Sequence, residues 1–229
     1  MSKFIVIEGI DGAGKGTHTR RLAQVLQEKS LDVSSFSFPA YDTTRFGKLV
    51  GEYLNGKYGN DLDKFPELVA ILFGLDRFER KDVLSEHIAT KDYVLCDRYC
   101  SSNVAYGCAK LPEDRKEEYA NFLTWLDYEL FEMPIPDLVI YLDIPVKMAA
   151  QLIAKKQKRC YTDKTEDLHE ADHEYLSKVR SNYYSLVPEI SCYRNWHTID
   201  VGENGELRDE DSVFEDILDA AQSFGNEKK

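Results

Sequence analysis

Short runs of apolar residues alternate with longer amphipathic stretches along most of the chain. The apolar runs have the length of β-strands and cover residues 3–8, 33–38, 93–96, 138–142 and 196–201. The amphipathic stretches repeat at helical spacing and cover residues 17–29, 66–81, 113–131, 146–157, 170–186 and 212–224. Strands that alternate with helices in this way are typical of βα units. The pattern therefore predicts a three-layer α/β/α fold with a five-stranded parallel sheet.

One predicted helix carries a stripe of large apolar side chains. These lie within residues 113–131 and are Tyr119, Phe122, Leu123, Leu126 and Leu130. Such a stripe most often faces the core, although part of it could form a subunit interface. Because no repeat or linker interrupts the sequence, we expect a single domain over residues 1–229.

The balance of acidic and basic residues limits the kinds of ligand that the protein can be expected to bind. Acidic residues outnumber basic residues by 41 to 29, which gives a formal net charge of −12. Nucleic acid is bound by basic surfaces, so this balance argues against a nucleic-acid-binding protein. A small anionic substrate needs only a local cluster of cations and is compatible with the charge.

The N-terminal run and the cysteines indicate the compartment. The apolar run at residues 4–7 is far too short for a secretory signal or a membrane span. The five cysteines are odd in number and form no CxxC pair. This suits reduced thiols better than disulfides or a zinc site. We therefore expect a cytoplasmic protein that binds no membrane.

A glycine-rich loop stands between the first predicted strand and the first predicted helix. It reads Gly9-Ile10-Asp11-Gly12-Ala13-Gly14-Lys15-Gly16-Thr17. Glycines allow the backbone N–H groups to point inward, the helix N-terminus favours negative charge, and Lys15 can reach the β- and γ-phosphates. The spacing, the lysine and the position between strand and helix together predict a site for ATP or GTP rather than a simple turn.

Two residues of this loop depart from the general pattern. Gly16 occupies the position where a Ser or Thr hydroxyl would bind Mg²⁺, and the resulting GKGT sequence resembles the loop of adenylate kinases. We expect ATP phosphates and water to hold Mg²⁺, with Asp97 contacting the ion through water. The carboxylate of Asp11 would be repelled by a polyphosphate, so it faces either an acceptor group or its own loop backbone.

Polar residues follow the predicted strand 93–96. The chain there reads Asp97-Arg98-Tyr99-Cys100-Ser101-Ser102-Asn103-Val104-Ala105-Tyr106. Residues at the carboxyl ends of parallel strands line the ligand crevice of open α/β sheets. Taken together, the GxDGxGKxT loop, the DRY segment and the SNxAY segment resemble the thymidylate kinase family over nearly the whole chain.

This resemblance implies a fold, an activity and partners. It implies a P-loop NTPase fold and the ATP-dependent phosphorylation of dTMP to dTDP in deoxythymidine nucleotide synthesis. Mg²⁺ would accompany ATP as the essential ion. Since the family is usually homodimeric, the expected partners are ATP, dTMP and a second copy of the chain.

The resemblance also implies roles in acceptor binding. Asp11 is similar to the acid that bonds the 3′-hydroxyl of dTMP, and Arg98 to the ligand of the acceptor phosphate. Asn103 resembles the reader of the base edge, and Tyr106 the ring that crowds the 2′ position and disfavours ribose. Ser102 is placed in the same site. A guanidinium fork suits a phosphate, and a carboxamide can both donate to a base and accept from it.

Two more acceptor residues fall in the predicted helix 66–81. Phe73 resembles the aromatic that stacks on thymine, and Arg77 resembles an arginine that contacts the acceptor nucleotide. Phe73 could instead belong to the core, and Arg77 lies in a charged run that could be solvated surface.

The segment after the second predicted strand resembles another part of the family. Phe38 and Pro39 match its FP segment, where an arginine aids the acceptor phosphate. Arg45 lies shortly beyond this segment and is the arginine to which the resemblance gives that role, whereas Tyr41 stands where some members have an arginine.

A basic cluster ends the predicted helix 146–157 and begins a lid at about residues 155–170. The family places a catalytic cation either in the phosphate loop or in the lid, and Gly12 occupies the loop position. We therefore expect Lys158 and Arg159 to stabilise the transferring phosphoryl group, although the cluster could be a solvated helix end. The expected catalytic residues are Lys15, Asp97, Arg98, Lys158 and Arg159.

Two other functions are compatible with the phosphate loop. The GKGT sequence would suit a kinase for another monophosphate or for a deoxynucleoside, whereas Asp11, Phe73 and Asn103 favour a pyrimidine deoxynucleotide. A nucleotide-dependent switch is a different class. Guanine recognition in such switches would need an NKxD segment, which the sequence lacks.

Overall fold

A computed structural model describes residues 2–59, 62–155, 173–193, 195–203 and 205–224. Its main sheet has the strand order β2-β3-β1-β4-β5, and every pairing is parallel. The strands are β1 (Lys3–Gly9), β2 (Val33–Ser37), β3 (Tyr93–Asp97), β4 (Leu138–Asp143) and β5 (Trp196–Asp200). The predicted five-stranded parallel sheet is therefore confirmed.

Helices connect and flank these strands. They are α1 (Lys15–Glu28), α2 (Arg45–Leu54), α3 (Pro66–Phe78), α4 (Lys81–Thr90), α5 (Cys100–Cys108), α6 (Glu113–Thr124), α7 (Val146–Lys155), α8 (His173–Ser185) and α9 (Glu210–Ser223). A π-helical segment, Trp125–Leu130, continues α6. Two short 3₁₀ turns and a small hairpin of β6 (Gly202–Glu203) and β7 (Glu206–Leu207) complete the described elements.

The central strands explain why the core lies around β1 and β4. All six residues of β4 are buried, and so are Phe4 to Gly9 of β1. Because helices cover both faces of a parallel sheet, its inner strands are apolar throughout instead of alternating. β1 pairs with β3 on one side and with β4 on the other, so its carboxyl end lies at the middle of the sheet edge.

The helix predicted over residues 66–81 is confirmed as α3, but it ends at Phe78, and a separate helix, α4, begins at Lys81. At Arg80 the backbone leaves the helical conformation, with φ −110° and ψ 6°. Just before it, the carboxylate of Glu79 accepts hydrogen bonds from the backbone N–H groups of Arg45 and Phe46. These groups open α2 and have no partner within that helix, so Glu79 compensates the N-terminus of a neighbouring element.

Three short helices, α2, α4 and α5, were not predicted from the sequence. α2 and α5 contain glycine, and α5 is rich in Cys, Ser and Asn, which are weak helix formers. α2 gains a local cap, because the hydroxyl of Thr44 accepts from the backbone N–H of Gly47 at 2.8 Å. Packing and capping thus override a weak intrinsic preference.

The apolar stripe of residues 113–131 divides between core and surface. Tyr119, Leu123 and Leu126 are buried, as a core stripe predicts. Leu130, however, is 54% exposed, because the π-helical segment changes the rotation per residue at the end of the stripe.

The described cysteines Cys96, Cys100, Cys108 and Cys192 are free thiols. Within the residues that the structure describes, no helix is both long enough and apolar enough to cross a bilayer.

Candidate active site

A cavity of about 570 Å³ opens at the carboxyl ends of β1, β2 and β3. Its walls come from the loop after β1, the start of α1, the segment after β2, one face of α3 and one face of α5. The predicted phosphate loop and the predicted acceptor residues thus share one cavity. This is where ligands bind in open α/β sheets.

The loop after β1 has the geometry of an anion site. Gly12 and Gly14 have φ values of 88° and 86°, which L-residues with side chains rarely adopt. Gly14 caps α1, and its carbonyl accepts from the backbone N–H of Thr17 and of His18. Lys15 reaches back over the loop and donates to the carbonyl of Ile10 at 2.8 Å. The helix N-terminus and the lysine therefore both bring positive charge to the cavity.

The structure gives a packing reason for Gly16. A Cβ atom added there would lie 2.9 Å from Oδ2 of Asp97, at the end of β3. Glycine therefore allows α1 to approach the Asp97 carboxylate closely. Burial raises the pKa of Asp97, while the charges of Lys15 and Arg98 oppose that shift.

Arg98 directs its guanidinium across the cavity. Its backbone is left-handed, with φ 68°, which is uncommon for a residue other than glycine and concentrates at functional sites. Nη2 donates to Asp11 at 2.7 Å and to the Tyr106 hydroxyl at 2.9 Å, and Nη1 donates to Ser102 at 3.2 Å. Tyr106 in turn donates to Asp11 at 2.8 Å. Asp11 therefore contacts the residues expected to bind the acceptor.

Glu8 is a site-organising residue that the sequence analysis missed. It is fully buried in β1 and accepts hydrogen bonds from the Tyr99 backbone N–H and from the Ser101, Ser102 and Tyr183 hydroxyls, at 2.6–2.9 Å. These bonds fix the start of α5 beside Arg98. The signal in the sequence was a lone acid within an otherwise apolar strand.

The face of α3 brings two predicted residues to the cavity. Phe73 lines the cavity and contacts the ring of Tyr53 edge-on, with centroids 6.3 Å apart. Arg77 also lines the cavity but is only 3% exposed, so it is not solvated surface. Its Nη2 donates to both carboxylate oxygens of Asp127, at 2.8 and 3.0 Å. Burial by itself would lower the pKa of Arg77, but its interactions with neighbouring groups, above all the Asp127 carboxylate, together raise that pKa.

Asn103 lies on the cavity side of α5. It is buried, and its amide nitrogen donates to the carbonyl of Ala70 on α3 at 3.1 Å. This bond orients the carboxamide against the helix that carries Phe73. Asn103, the predicted reader of the base edge, is therefore held by α3, the helix that carries Phe73, the predicted stacking ring.

The segment after β2 supplies an aromatic wall. Phe38, Pro39 and Tyr41 all line the cavity, and the Phe38–Pro39 peptide bond is cis. Buried Asp76 of α3 holds this segment, because it accepts from the backbone N–H of Ala40 at 2.9 Å and from the Thr44 hydroxyl.

Arg45 is placed elsewhere. Its side chain is exposed at the N-terminus of α2 and is not among the residues that line the cavity. The structure therefore does not bring Arg45 to the other acceptor residues, and Tyr41 lies on the cavity wall instead.

Two cations in the cavity were not predicted. Arg20 lies four residues after Gly16 on α1, so the two share a helical face, and Lys110 lies just beyond the end of α5. Lys110 follows the last turn of α5 and donates to the Tyr53 hydroxyl at 2.7 Å. The predicted lid cations Lys158 and Arg159 lie outside the described residues.

Comparisons with known proteins agree with this geometry. The family model described as thymidylate kinase matches residues 7–210. A thymidylate kinase of Caenorhabditis elegans is 27% identical over 98% of this chain and 92% of its own length. A relative from Thermococcus onnurineus, named "Probable thymidylate kinase", is 36% identical over 80% of this chain and 83% of its own.

A solved structure adds evidence for the fold. The thymidylate kinase of Candida albicans superposes with a TM-score of 0.72 and covers 99% of this chain and 94% of its own, at 23% identity. At that identity the match speaks for a shared fold. With the family model matching most of the sequence and a relative 36% identical, this chain belongs to the thymidylate kinase family of phosphotransferases.

Proposed function

We propose that this chain transfers the γ-phosphoryl group of ATP to dTMP and so forms dTDP in deoxythymidine nucleotide synthesis. One observation carries the proposal beyond family membership. The Asp11–Arg98–Tyr106 cluster and Lys15 of the phosphate loop line the same cavity, so donor and acceptor sites adjoin.

The donor side of the proposed site is the loop from Gly9 to Thr17. Its backbone N–H groups and the N-terminus of α1 would bind the ATP phosphates, with Lys15 at the β- and γ-phosphates. Such an arrangement places positive charge where the transferring group passes.

The acceptor side is built from α3, α5 and the segment after β2. Phe73 would stack on the base and Asn103 would read its edge, while Arg77 and Arg98 would contact the nucleotide. Asp11 would bond the 3′-hydroxyl, and Tyr106, whose hydroxyl donates to Asp11, would crowd the 2′ position. The cavity location of these side chains supports each role.

Mg²⁺ is the proposed companion of ATP, and the residues present fit an ion bound largely through water. Asp97 presents a carboxylate to the cavity close to Gly16 of the phosphate loop. In the part of the chain that the structure describes, three or more His, Cys, Asp and Glu side chains nowhere gather into a metal cage. Mg²⁺ keeps several waters and needs only one or two carboxylates with substrate phosphates. When bound, the ion would neutralise charge on the phosphates, and Asp97 would accept from its water ligands.

The proposed reaction is a direct in-line transfer. An oxygen of the dTMP phosphate forms a bond to the γ-phosphorus, the bond from that phosphorus to the β–γ bridging oxygen breaks, and ADP leaves. Positioning and electrostatic stabilisation by cations such as Lys15 account for catalysis in this class. Lys158 and Arg159 remain the proposed lid cations.

A coupled assay of ADP release tests the proposed function. The purified chain is assayed with ATP and Mg²⁺ against dTMP, dUMP, dCMP, AMP and thymidine, with chelator as a control. We expect dTMP to give the highest kcat/KM and chelator to abolish turnover. Preference for AMP or thymidine would contradict the proposal, and so would ATP binding without acceptor-stimulated turnover.

We further propose that the chain is a cytoplasmic homodimer. Free thiols support the location. Leu68, Ile71, Leu75 and Phe78 form a stripe along α3 whose two ends are 55% and 44% exposed, and Trp125, on the segment that contacts α3, is 44% exposed. Exposed apolar surface of this kind is typical of an interface. Light scattering should give a dimer mass that falls to a monomer in Leu68→Glu, and a monomeric wild type would contradict the proposal.

A further inference from the structure

The acceptor phosphate needs positive charge of its own near the Asp97 carboxylate, because Lys15 and Mg²⁺, the other cations proposed there, serve the ATP phosphates. Asp11 and Asp97 both line the cavity, and both would repel a phosphate dianion. Arg98 already pairs with Asp11, and Arg77 already pairs with Asp127. The end of β2 and the segment after it contribute Ser37, Phe38, Pro39 and Tyr41 to the lining but no cation.

We propose that Arg20 of α1 binds the phosphate of the acceptor nucleotide. Its side chain is exposed and lines the cavity. It makes no hydrogen bond or ion pair with any residue that the structure describes. Its guanidinium is therefore available to a ligand.

The placement of Arg20 identifies the acceptor side. A Cβ atom on Gly16 would lie 3.8 Å from Nη1 of Arg20 and 2.9 Å from Oδ2 of Asp97. Gly16 and Arg20 are one turn apart on α1, so they share a helix face that approaches Asp97 at the end of β3, the strand that leads into Arg98 and α5.

The chemistry of the group also fits. An arginine fork can donate two parallel hydrogen bonds to phosphate oxygens, and a partly exposed side chain can adjust to a moving phosphoryl group. Arg20 would offset the repulsion between the phosphate and Asp97. This inference rests on the proposed function, because it names a residue for the acceptor of that same reaction.

Isothermal titration calorimetry with Arg20→Ala tests it, using dTMP, thymidine and ATP as ligands. We expect the Kd for dTMP to rise about ten- to a hundredfold, as loss of a hydrogen bond to a charged group predicts. Thymidine has no phosphate and should keep its wild-type Kd, and so should ATP. Arg20→Lys keeps the charge without the fork and should recover part of the affinity for dTMP.

Arg21→Ala is the matched control. Arg21 is the next residue on α1, but its guanidinium lies over the Phe214 ring at 4.0 Å and pairs with Asp211, outside the cavity lining. It should keep the wild-type Kd for dTMP. Since position 20 is exposed and alanine favours helix, Arg20→Ala should fold, and Arg20→Gln provides a second neutral variant.

Several results would overturn the inference. They are an unchanged Kd for dTMP in Arg20→Ala, an equal loss for thymidine, a loss for ATP alone, or no recovery in Arg20→Lys. A wild type that neither binds nor phosphorylates dTMP would instead contradict the proposed function. A wild type that phosphorylates dTMP, with Arg20→Ala binding it equally well, would contradict the Arg20 assignment alone.

Discussion

Arg98 donates a hydrogen bond to Asp11 at 2.7 Å, across 87 positions of sequence. The arginine follows β3 and the acid follows β1, so the bond links the phosphate loop directly to the segment that opens α5. Neither side chain is more than 17% exposed. The pair therefore couples the donor side of the cavity to its acceptor side in a largely desolvated setting.

The first prediction concerns Asp11 and the 3′-hydroxyl of dTMP. Wild type should prefer dTMP over 3′-deoxy-dTMP by about ten- to a hundredfold in kcat/KM, because a hydrogen bond to a buried carboxylate is lost in the analogue. In Asp11→Ala the two substrates should become nearly equal. Steady-state kinetics with both substrates measures this, and Asp11→Asn, which keeps an acceptor oxygen, should retain part of the preference. An undiminished preference in Asp11→Ala would count against the role.

The second prediction concerns the catalytic cations. Lys15→Ala should lower kcat by about a thousandfold or more, because a positioned charge on the transferring phosphoryl group is lost. Arg159→Ala or Lys158→Ala should cause a comparable loss if the lid supplies the second cation. Lys29→Ala provides the control, since Lys29 is exposed at the far end of α1. This variant should keep the wild-type kcat. A near-wild-type kcat for Lys15→Ala would contradict the assignment of Lys15 as a catalytic cation.

The third prediction concerns the buried pair of Arg77 and Asp127, whose side chains are 3% and 2% exposed. Asp127→Leu should lower the free energy of unfolding by about 3–5 kcal/mol, because it leaves a buried guanidinium without its counter-charge. The double variant Arg77→Met with Asp127→Leu should recover much of that loss. Urea unfolding of the two variants measures the difference. Equal stability of the single and double variants would show that the pair is not coupled.

The fourth prediction concerns His18, which is buried at the start of α1 and stacks on Phe214 with ring centroids 6.3 Å apart. Burial lowers the pKa of His18, Glu210 opposes the shift and Arg21 adds to it. Below the unfolded pKa of about 6.5, the unfolded state binds more protons than the folded state. The contribution of His18 to the free energy of unfolding is therefore fully present above that pH. It is lost as the pH falls toward the lowered pKa of His18 in the folded state.

Urea unfolding between pH 5 and 8 tests this. The difference in unfolding free energy between wild type and His18→Gln should be constant above about pH 7.5 and should shrink below about pH 6.5. The slope should reach at most about 1.4 kcal/mol per pH unit, the limit for one proton. A difference that stays constant over the whole range would contradict a lowered pKa.

The sheet and the phosphate loop could be predicted without knowing the tertiary structure. Runs such as residues 93–96 and 138–142 carry their strand signal locally, because buried parallel strands must be apolar throughout. The loop around Lys15 is equally local, since glycine spacing and the adjoining helix define it. The resemblance also selected Phe73, Arg98, Asn103 and Tyr106, which the structure gathers in one cavity.

The contacts between side chains that are distant in sequence could not be predicted, because they depend on how the strands and helices pack. The parallel register of β1 and β3, with Ile7 opposite Asp97, sets Asp11 beside Arg98 and leaves room at Gly16 only for a hydrogen atom. It also placed Arg45 outside the cavity and Arg20 inside it. Hydrophobic periodicity predicts whether a residue is buried, but strand register and helix packing determine which side chains it contacts. For that reason the fold and most of the site residues could be predicted from the sequence. Which charged side chains line the cavity, and which of them pair, became clear only from the structure.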